Sequence, residues 1–176
     1  MKTLKVKNKT KTKHKQTNVN GKRYEKNGWI CIDVHGNSYE LGYSIGYLLS
    51  DEIKKVFKTL EFIFMNTYGL SRIFFRETIS ELFKKQIKKH YPEYYIEMKG
   101  VADGIQYNNN LEEKITLDDI IMWNCYLTID SMITSLNDLI MKVPKLKAKY
   151  GDIFNKKSFI NKERIIERCS AFIAYQ

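Results

Sequence analysis

The order of apolar and polar positions divides the chain into a polar front, one short alternating segment and a long helical body. Trp29-Ile-Cys-Ile-Asp-Val34 sets Trp29, Cys31 and Asp33 on one face and Ile30, Ile32 and Val34 on the other. That two-residue period, rich in β-branched side chains, predicts a strand. Gly36 ends it, and Asn37 followed three residues later by Glu40 has the spacing of a capping box. A helix over 38–65 follows from Leu41, Ile45, Leu48, Leu49, Ile53, Val56, Phe57 and Leu60, which recur at three- and four-residue steps. Gly42 and Gly46 lie one turn apart on it. Each costs about 1 kcal/mol in a helix relative to Ala, so their place there implies a close approach by another element.

Tyr68-Gly-Leu-Ser71 reads as a turn, with Ser71 capping a second helix over 72–89 whose buried side is Ile73, Phe74, Ile79, Leu82, Phe83 and Ile87. Pro92 opens a shorter third helix through Met98, which is expected to stop at the glycines of Gly100-Val-Ala-Asp-Gly104. Asn108, Asn109 and Asn110 form a polar loop. Thr116 with Asp119 makes a second capping box, opening a fourth helix over 117–135 that carries Ile120, Ile121, Trp123, Cys125, Leu127 and Ile129. The basic span 142–168, broken by Pro144 and Gly151, reads as an irregular surface excursion, and 169–174 as a second short strand available to pair with the first. The fold class is therefore mostly α with minor β: about four helices and two short strands in one domain over 28–176, preceded by a basic arm over 1–27.

Composition changes this picture in one place. A chain of 176 residues, 43% hydrophobic and 13% aromatic, is too apolar to be wholly disordered. Its net charge of +10 suggests a nucleic-acid binder, yet ten Lys/Arg and one acid fall within residues 1–26, leaving the body almost neutral. Lys2, Lys5, Lys7, Lys9, Lys11, Lys13 and Lys15 alternate with residues that have little to bury, which describes a solvated, disordered arm. Such an arm would bind nucleic acid or anionic lipid weakly, nonspecifically and in a salt-dependent way, through residues 2–26. No apolar core of a signal peptide follows those charges, and no run approaches the roughly 20 apolar residues of a membrane span. Cys31, Cys125 and Cys169 are an odd set without metal spacing. A soluble chain in the cytoplasm or another reducing compartment is expected, with no metal and no cofactor.

Candidate chemistry is sparse. Glycine-rich phosphate loops, paired metal-binding histidines and the G-x-S-x-G elbow are all missing from the sequence. His14 lies in the arm, and His35 and His90 flank element ends. Asp118 and Asp119 are explained as first-turn acids favoured by the helix dipole.

Four blocks in order carry a family resemblance: Gly36-Asn-Ser-Tyr-Glu-Leu-Gly-Tyr-Ser-Ile-Gly-Tyr-Leu-Leu49, Glu97-Met-Lys-Gly-Val-Ala-Asp-Gly104, Asp118-Asp-Ile-Ile-Met-Trp-Asn124 and Arg168-Cys-Ser-Ala-Phe-Ile-Ala174. In order and spacing the series resembles the front part of the autoproteolytic N-terminal-nucleophile (Ntn) hydrolases related to penicillin acyltransferase and phospholipase B-like proteins, over residues 29 to 174. The resemblance implies the N-terminal fragment of an αββα fold, with Cys169 as the catalytic nucleophile and the bond between Arg168 and Cys169 as the autocleavage site. The freed α-amino group, with a pKa of about 7.7–8.0, would then serve as base near neutral pH. His35, Glu40 and Asp103 match the blocks, although caps and turns account for them. In that family the oxyanion donors and stacked sheets follow the nucleophile, and here seven residues follow Cys169. The implied function is a truncated, inactive relative of these acyltransferases and amide or lipid hydrolases, with a separate β-rich chain as a partner and self-association through uncovered apolar faces. The alternative is a small helical binding protein whose basic arm contacts nucleic acid or anionic membrane.

Overall fold

Asn27 and Gly28 both take positive φ, 53° and 80°, as a two-residue hairpin turn requires. They join strands β1 (Gly21–Lys26) and β2 (Trp29–Val34), antiparallel in the register Lys26 opposite Trp29 through Gly21 opposite Val34. The structure is a computed structural model and describes residues 19–108 and 114–153. Gly21–Lys26 thus corrects the reading of that stretch as disordered arm: lysines and Arg23 are tolerated in a strand exposed along its length, and the Asn-Gly pair sets the register. The strand expected over 169–174 lies outside the described residues.

Among the described residues, seven α-helices and one 3-10 turn replace the expected four helices. The first long helix is two, α1 (Ser38–Leu48) and α2 (Ser50–Tyr68), because Leu49 leaves helical geometry at φ −113°, ψ 21° while Asp51 and Glu52 favour a new N-terminus. Gly69 ends α2 in the left-handed conformation at φ 64°. Ser71 caps α3 (Arg72–His90), its Oγ accepting from the Phe74 N–H at 3.3 Å. Helix α4 (Pro92–Asn108) runs through Gly100 and Gly104 instead of stopping there. The fourth expected helix is divided into α5 (Leu117–Asn124), a 3-10 turn (Tyr126–Thr128) and α6 (Ile129–Lys142), where the Thr128 hydroxyl donates to the Cys125 carbonyl at 2.6 Å. Within the supposed excursion, α7 (Pro144–Tyr150) is a helix with Leu146 and Tyr150 buried. Proline at its first position starts a helix as readily as it breaks one.

The core lies between α2, α3, α4, α5 and α6. Phe64 of α2 and Phe75 of α3 stack at a 4.4 Å centroid separation, and Ile105, Ile121, Met122, Leu136 and Ile140 belong to the same buried cluster. Helices α1 and α4 make a different contact. A Cβ built on Gly42 or Gly46 would lie under 3.0 Å from the carbonyl oxygen of Glu97 or Val101, and one on Gly100 or Gly104 equally near the carbonyl of Tyr39 or Tyr43. Backbone meets backbone from both sides, so at these glycines α1 is fixed in depth and register on α4 by main-chain contact. The architecture is a helical body with one antiparallel hairpin, an α+β chain in the coarse sense; among the described residues the hairpin is the whole sheet, and the two stacked sheets of an αββα fold have no counterpart.

Candidate functional site

Two features of the body bring chemically distinct side chains together: a buried ion-pair cluster and an apolar groove beside it. The cluster begins at Ser71, which starts α3 so that Arg72 points inward, and at Thr116, which starts α5 so that Asp119 does the same. Arg72 is 5% exposed and Asp119 wholly buried. The Arg72 guanidinium donates to Asp119 Oδ1, lies 3.6 Å from Glu61 and stands 5.5 Å over the Phe57 ring. Asp119 Oδ2 accepts from the Thr116 N–H at 2.9 Å and the Thr116 hydroxyl at 2.7 Å. Arg76 adds a second cation at 3.8 Å. Every oxygen of this carboxylate is engaged, which suits it to fixing α3, α2 and α5 together rather than to moving a proton.

Asp118 points the other way, to the Ser80 hydroxyl and Lys84 ammonium, both at 2.7 Å. Burial pushes its pKa up, but those two hydrogen bonds and the charges of Lys84 and Arg76 outweigh that and leave it below the usual carboxylate value. The dipole explanation of this acid pair was therefore incomplete. Both acids have cationic partners on α3, more than 30 residues away in sequence, which no local pattern reveals.

The groove, about 510 Å³, opens between the C-terminal ends of α3 and α5 and the facing sides of α1, α2 and α4. Ile53, Ile87, Met98, Val101, Ile120 and Trp123 are its main walls, with Tyr91, Tyr94, Glu97, Asn124 and Cys125 also lining it. Burial raises the Cys125 thiol pKa, so this cysteine is held as a thiol and is a poor nucleophile. Along α1 a second cluster sets the rings of Tyr39, Tyr43, Tyr47 and Tyr107 at 6.2–6.3 Å in a chain. The Tyr39 hydroxyl donates to Asp103 at 2.8 Å, and Lys99 also contacts Asp103.

The residues singled out by sequence separate accordingly. Arg168 and Cys169 lie outside the described residues. Glu40 closes the capping box, accepting from the Asn37 N–H at 3.0 Å while its own N–H donates to Asn37 at 3.1 Å. Asp103 belongs to the tyrosine cluster. His35 follows β2 with its backbone N–H donating to the Asn20 carbonyl at 3.1 Å. These three residues hold separate local structures and do not converge on one centre. Among the described residues no group of three or more His, Cys, Asp and Glu side chains is placed to hold a metal ion, and no helix is long and apolar enough to cross a membrane. Sequence reasoning missed the buried Arg72 and Asp119 pair and the groove. A weak signal for the pair existed, since Arg72 directly follows a cap and sits among apolar neighbours.

No protein-family model matches the chain, and no curated protein or solved structure is significantly similar to it.

Proposed function

We propose that the helical body is the segment that leads into the nucleophile of an Ntn hydrolase of the penicillin acyltransferase and phospholipase B-like type, with Cys169 at the nucleophile position. One observation carries this reading: blocks far apart in sequence that bear the resemblance are packed on one another. Gly42 and Gly46 of the first block meet Glu97, Gly100, Val101 and Gly104 of the second through backbone contact. Ile120, Trp123 and Asn124 of the third block line the groove together with Ile45 and Leu49 of the first and Glu97, Met98 and Val101 of the second. A shared packing role gives those residue types at those spacings a physical reason beyond chance recurrence of short motifs.

On this reading Cys169 Sγ attacks the Arg168 carbonyl, the peptide nitrogen leaves as the α-amine of Cys169, and water then cleaves the thioester to release the Arg168 carboxylate and the thiol. Both steps need donors aimed at the developing oxyanion, each worth about 2.7–4 kcal/mol of barrier. In the resembled family those donors come from the sheets after the nucleophile. Tested as residues 1–176 without a partner that supplies such donors, the chain is expected to be inert, and on this reading the substrate is an amide or a lipid ester.

Intact-mass measurement on the purified chain tests this, with a single species near 20.9 kDa expected. A species ending at Arg168 and lost in Cys169→Ala overturns the inert reading. A second arm uses residues 19–176, which keep the hairpin and discard the lysine-rich front. Retained, steeply salt-dependent nucleic-acid binding by that shorter chain would favour the binding-module alternative.

A further inference from the structure

We infer that the groove is a binding site for a small amphiphilic cation, an apolar chain ending in an ammonium group. The inference rests on the described body alone and is independent of the role proposed for Cys169. At about 510 Å³ the cavity falls within the range of small-molecule pockets. Ile53, Met98, Val101 and Ile120 at its floor are buried and aliphatic, so the body of an occupant is apolar.

The polar features at its edge select the sign of the head group. Glu97 is the one charged side chain lining the cavity, and its carboxylate has no ion-pair or hydrogen-bond partner among the described residues. Helix α5 ends against the same cavity at Asn124, with no basic residue in its last turn. Tyr91 and Tyr94 are 61% and 67% exposed and also line the cavity, which gives an ammonium group aromatic faces to rest on. The nearest cations on α3 are directed elsewhere or outward: Lys88 stands over the Tyr95 ring at 5.7 Å, and Lys89 and His90 are exposed. An anionic head would meet Glu97 with no compensating cation in the lining.

Long-range charge acts against this choice, which makes the test discriminating. The chain carries +10 and as a whole favours anions. At an ionic strength of 0.15 M that field is screened over about 8 Å, so only groups in the cavity decide between heads. Trp29→Phe leaves Trp123 in the cavity wall as the sole tryptophan and the reporter of occupancy. Below their micelle concentrations, dodecyltrimethylammonium, dodecyl maltoside and dodecanoate are titrated against its fluorescence. The cation is expected to bind most tightly and dodecanoate least, with Glu97→Gln weakening the cation about threefold to tenfold and leaving the maltoside unchanged. Asn124→Lys, at an exposed position, is expected to reverse the order. Equal or tighter binding of dodecanoate by the parent, no change in Glu97→Gln, or no Trp123 response to any of the three overturns the inference. Should Trp29→Phe fail to fold, competition for a fluorescent alkylammonium on the native chain gives the same ranking.

Discussion

Helix α3 forms ion pairs on two of its sides, and the two sides differ in how much water they keep. Toward α5 it buries Arg72 against Asp119, with the two side chains 6% and 0% exposed. Toward α7 it sets Glu77 against Lys149 and Glu81 against Lys145, with every side chain at least 31% exposed. The chemistry is the same, carboxylate to cation, yet the consequences of losing a partner are opposite. A charge left in the inner cluster keeps only a longer contact, Arg72 to Glu61 at 3.6 Å or Asp119 to Arg76 at 3.8 Å, and little water, whereas one left at the outer contact is simply hydrated. The inner pair thus constrains where α2, α3 and α5 meet, and the outer pairs align a helix already anchored by Leu146 and Tyr150.

Removing one member of the inner pair is the largest expected effect. Asp119→Ala or Arg72→Ala should cost about 3–5 kcal/mol in urea unfolding, the usual result of stranding a buried charge. Replacing both, as Arg72→Met with Asp119→Leu, should recover much of that loss; the Thr116 N–H and hydroxyl would still lack their acceptor. A double variant as unstable as the worse single one would mean that the pair adds stability of its own and is not merely costly to break.

The contact between α1 and α4 ranks next, and at its glycines it is backbone against backbone with no charge. Gly46→Ala puts a methyl against the Val101 carbonyl, and Gly104→Ala puts one against the Tyr43 carbonyl. Backbone has no rotamer with which to yield, so each should cost about 1–3 kcal/mol by forcing the helices apart. Because one displacement accommodates both methyls, the pair of substitutions should cost clearly less than the sum. Strict additivity in a double-mutant cycle would show that the helices do not move as units.

Between these two sides, the buried face of α3 carries Thr78, whose hydroxyl is the one buried side-chain polar atom without a hydrogen-bond partner among the described residues. Thr78→Val keeps the branched shape and removes the unpaired hydroxyl. It should stabilise the chain by about 1 kcal/mol, a change of opposite sign to the two above. Lower stability in the variant would imply that the hydroxyl has a partner in the folded chain.

What could be read in advance divides along the same line. Features encoded within a few residues were legible: the caps at Asn37, Ser71 and Thr116, the strand at Trp29–Val34 and the demand for a close approach at Gly42 and Gly46. The apolar face of α3 was legible in part, since Phe74 and Ile79 are buried while Ile73, expected inside, is exposed and Phe75, not expected there, is fully buried. The Asn27-Gly28 turn was equally local but was overlooked because the charge of the flanking lysines dominated the reading. Features that depend on pairing across the chain were hidden. Nothing near Asp119 indicates Arg72, and nothing in the glycines 100 and 104 distinguishes a helix end from a helix contact until α1 is placed beside them. The groove is the extreme case, since its lining comes from five helices and no single segment carries its pattern. The candidate nucleophile Cys169 was found by resemblance and rests on that alone.

The outer contact should give the smallest effect, and pH separates it from the rest. Hydrogen bonds from Lys149 and from the Tyr150 hydroxyl, the latter at 2.6 Å, hold the Glu77 pKa below its ordinary value despite partial burial. A folded-state pKa below the unfolded one means that the stabilisation is complete above the unfolded value of about 4.3 and is lost as pH falls through the folded value. Lys149 is shifted the other way, upward, chiefly by its hydrogen bond to Glu77, so its contribution persists until pH rises past the ordinary lysine range. The contact is thus at full strength across the neutral range and weakens first on the acid side. Protonated Glu77 still hydrogen-bonds Tyr150, and Leu146 remains buried, so α7 should loosen without leaving. Intrinsic exchange itself slows as pH falls from 5 to 3, so the expected sign is a fall in the protection of the Pro144–Tyr150 amides over that range, and added salt should lower their protection similarly at pH 7. Glu77→Gln should show the faster exchange already at neutral pH and a shallower acid dependence, the remainder coming from Asp118, whose pKa is also lowered. An unchanged acid dependence in Glu77→Gln would assign the loosening of α7 to the inner side of α3 and erase the distinction between the two contacts.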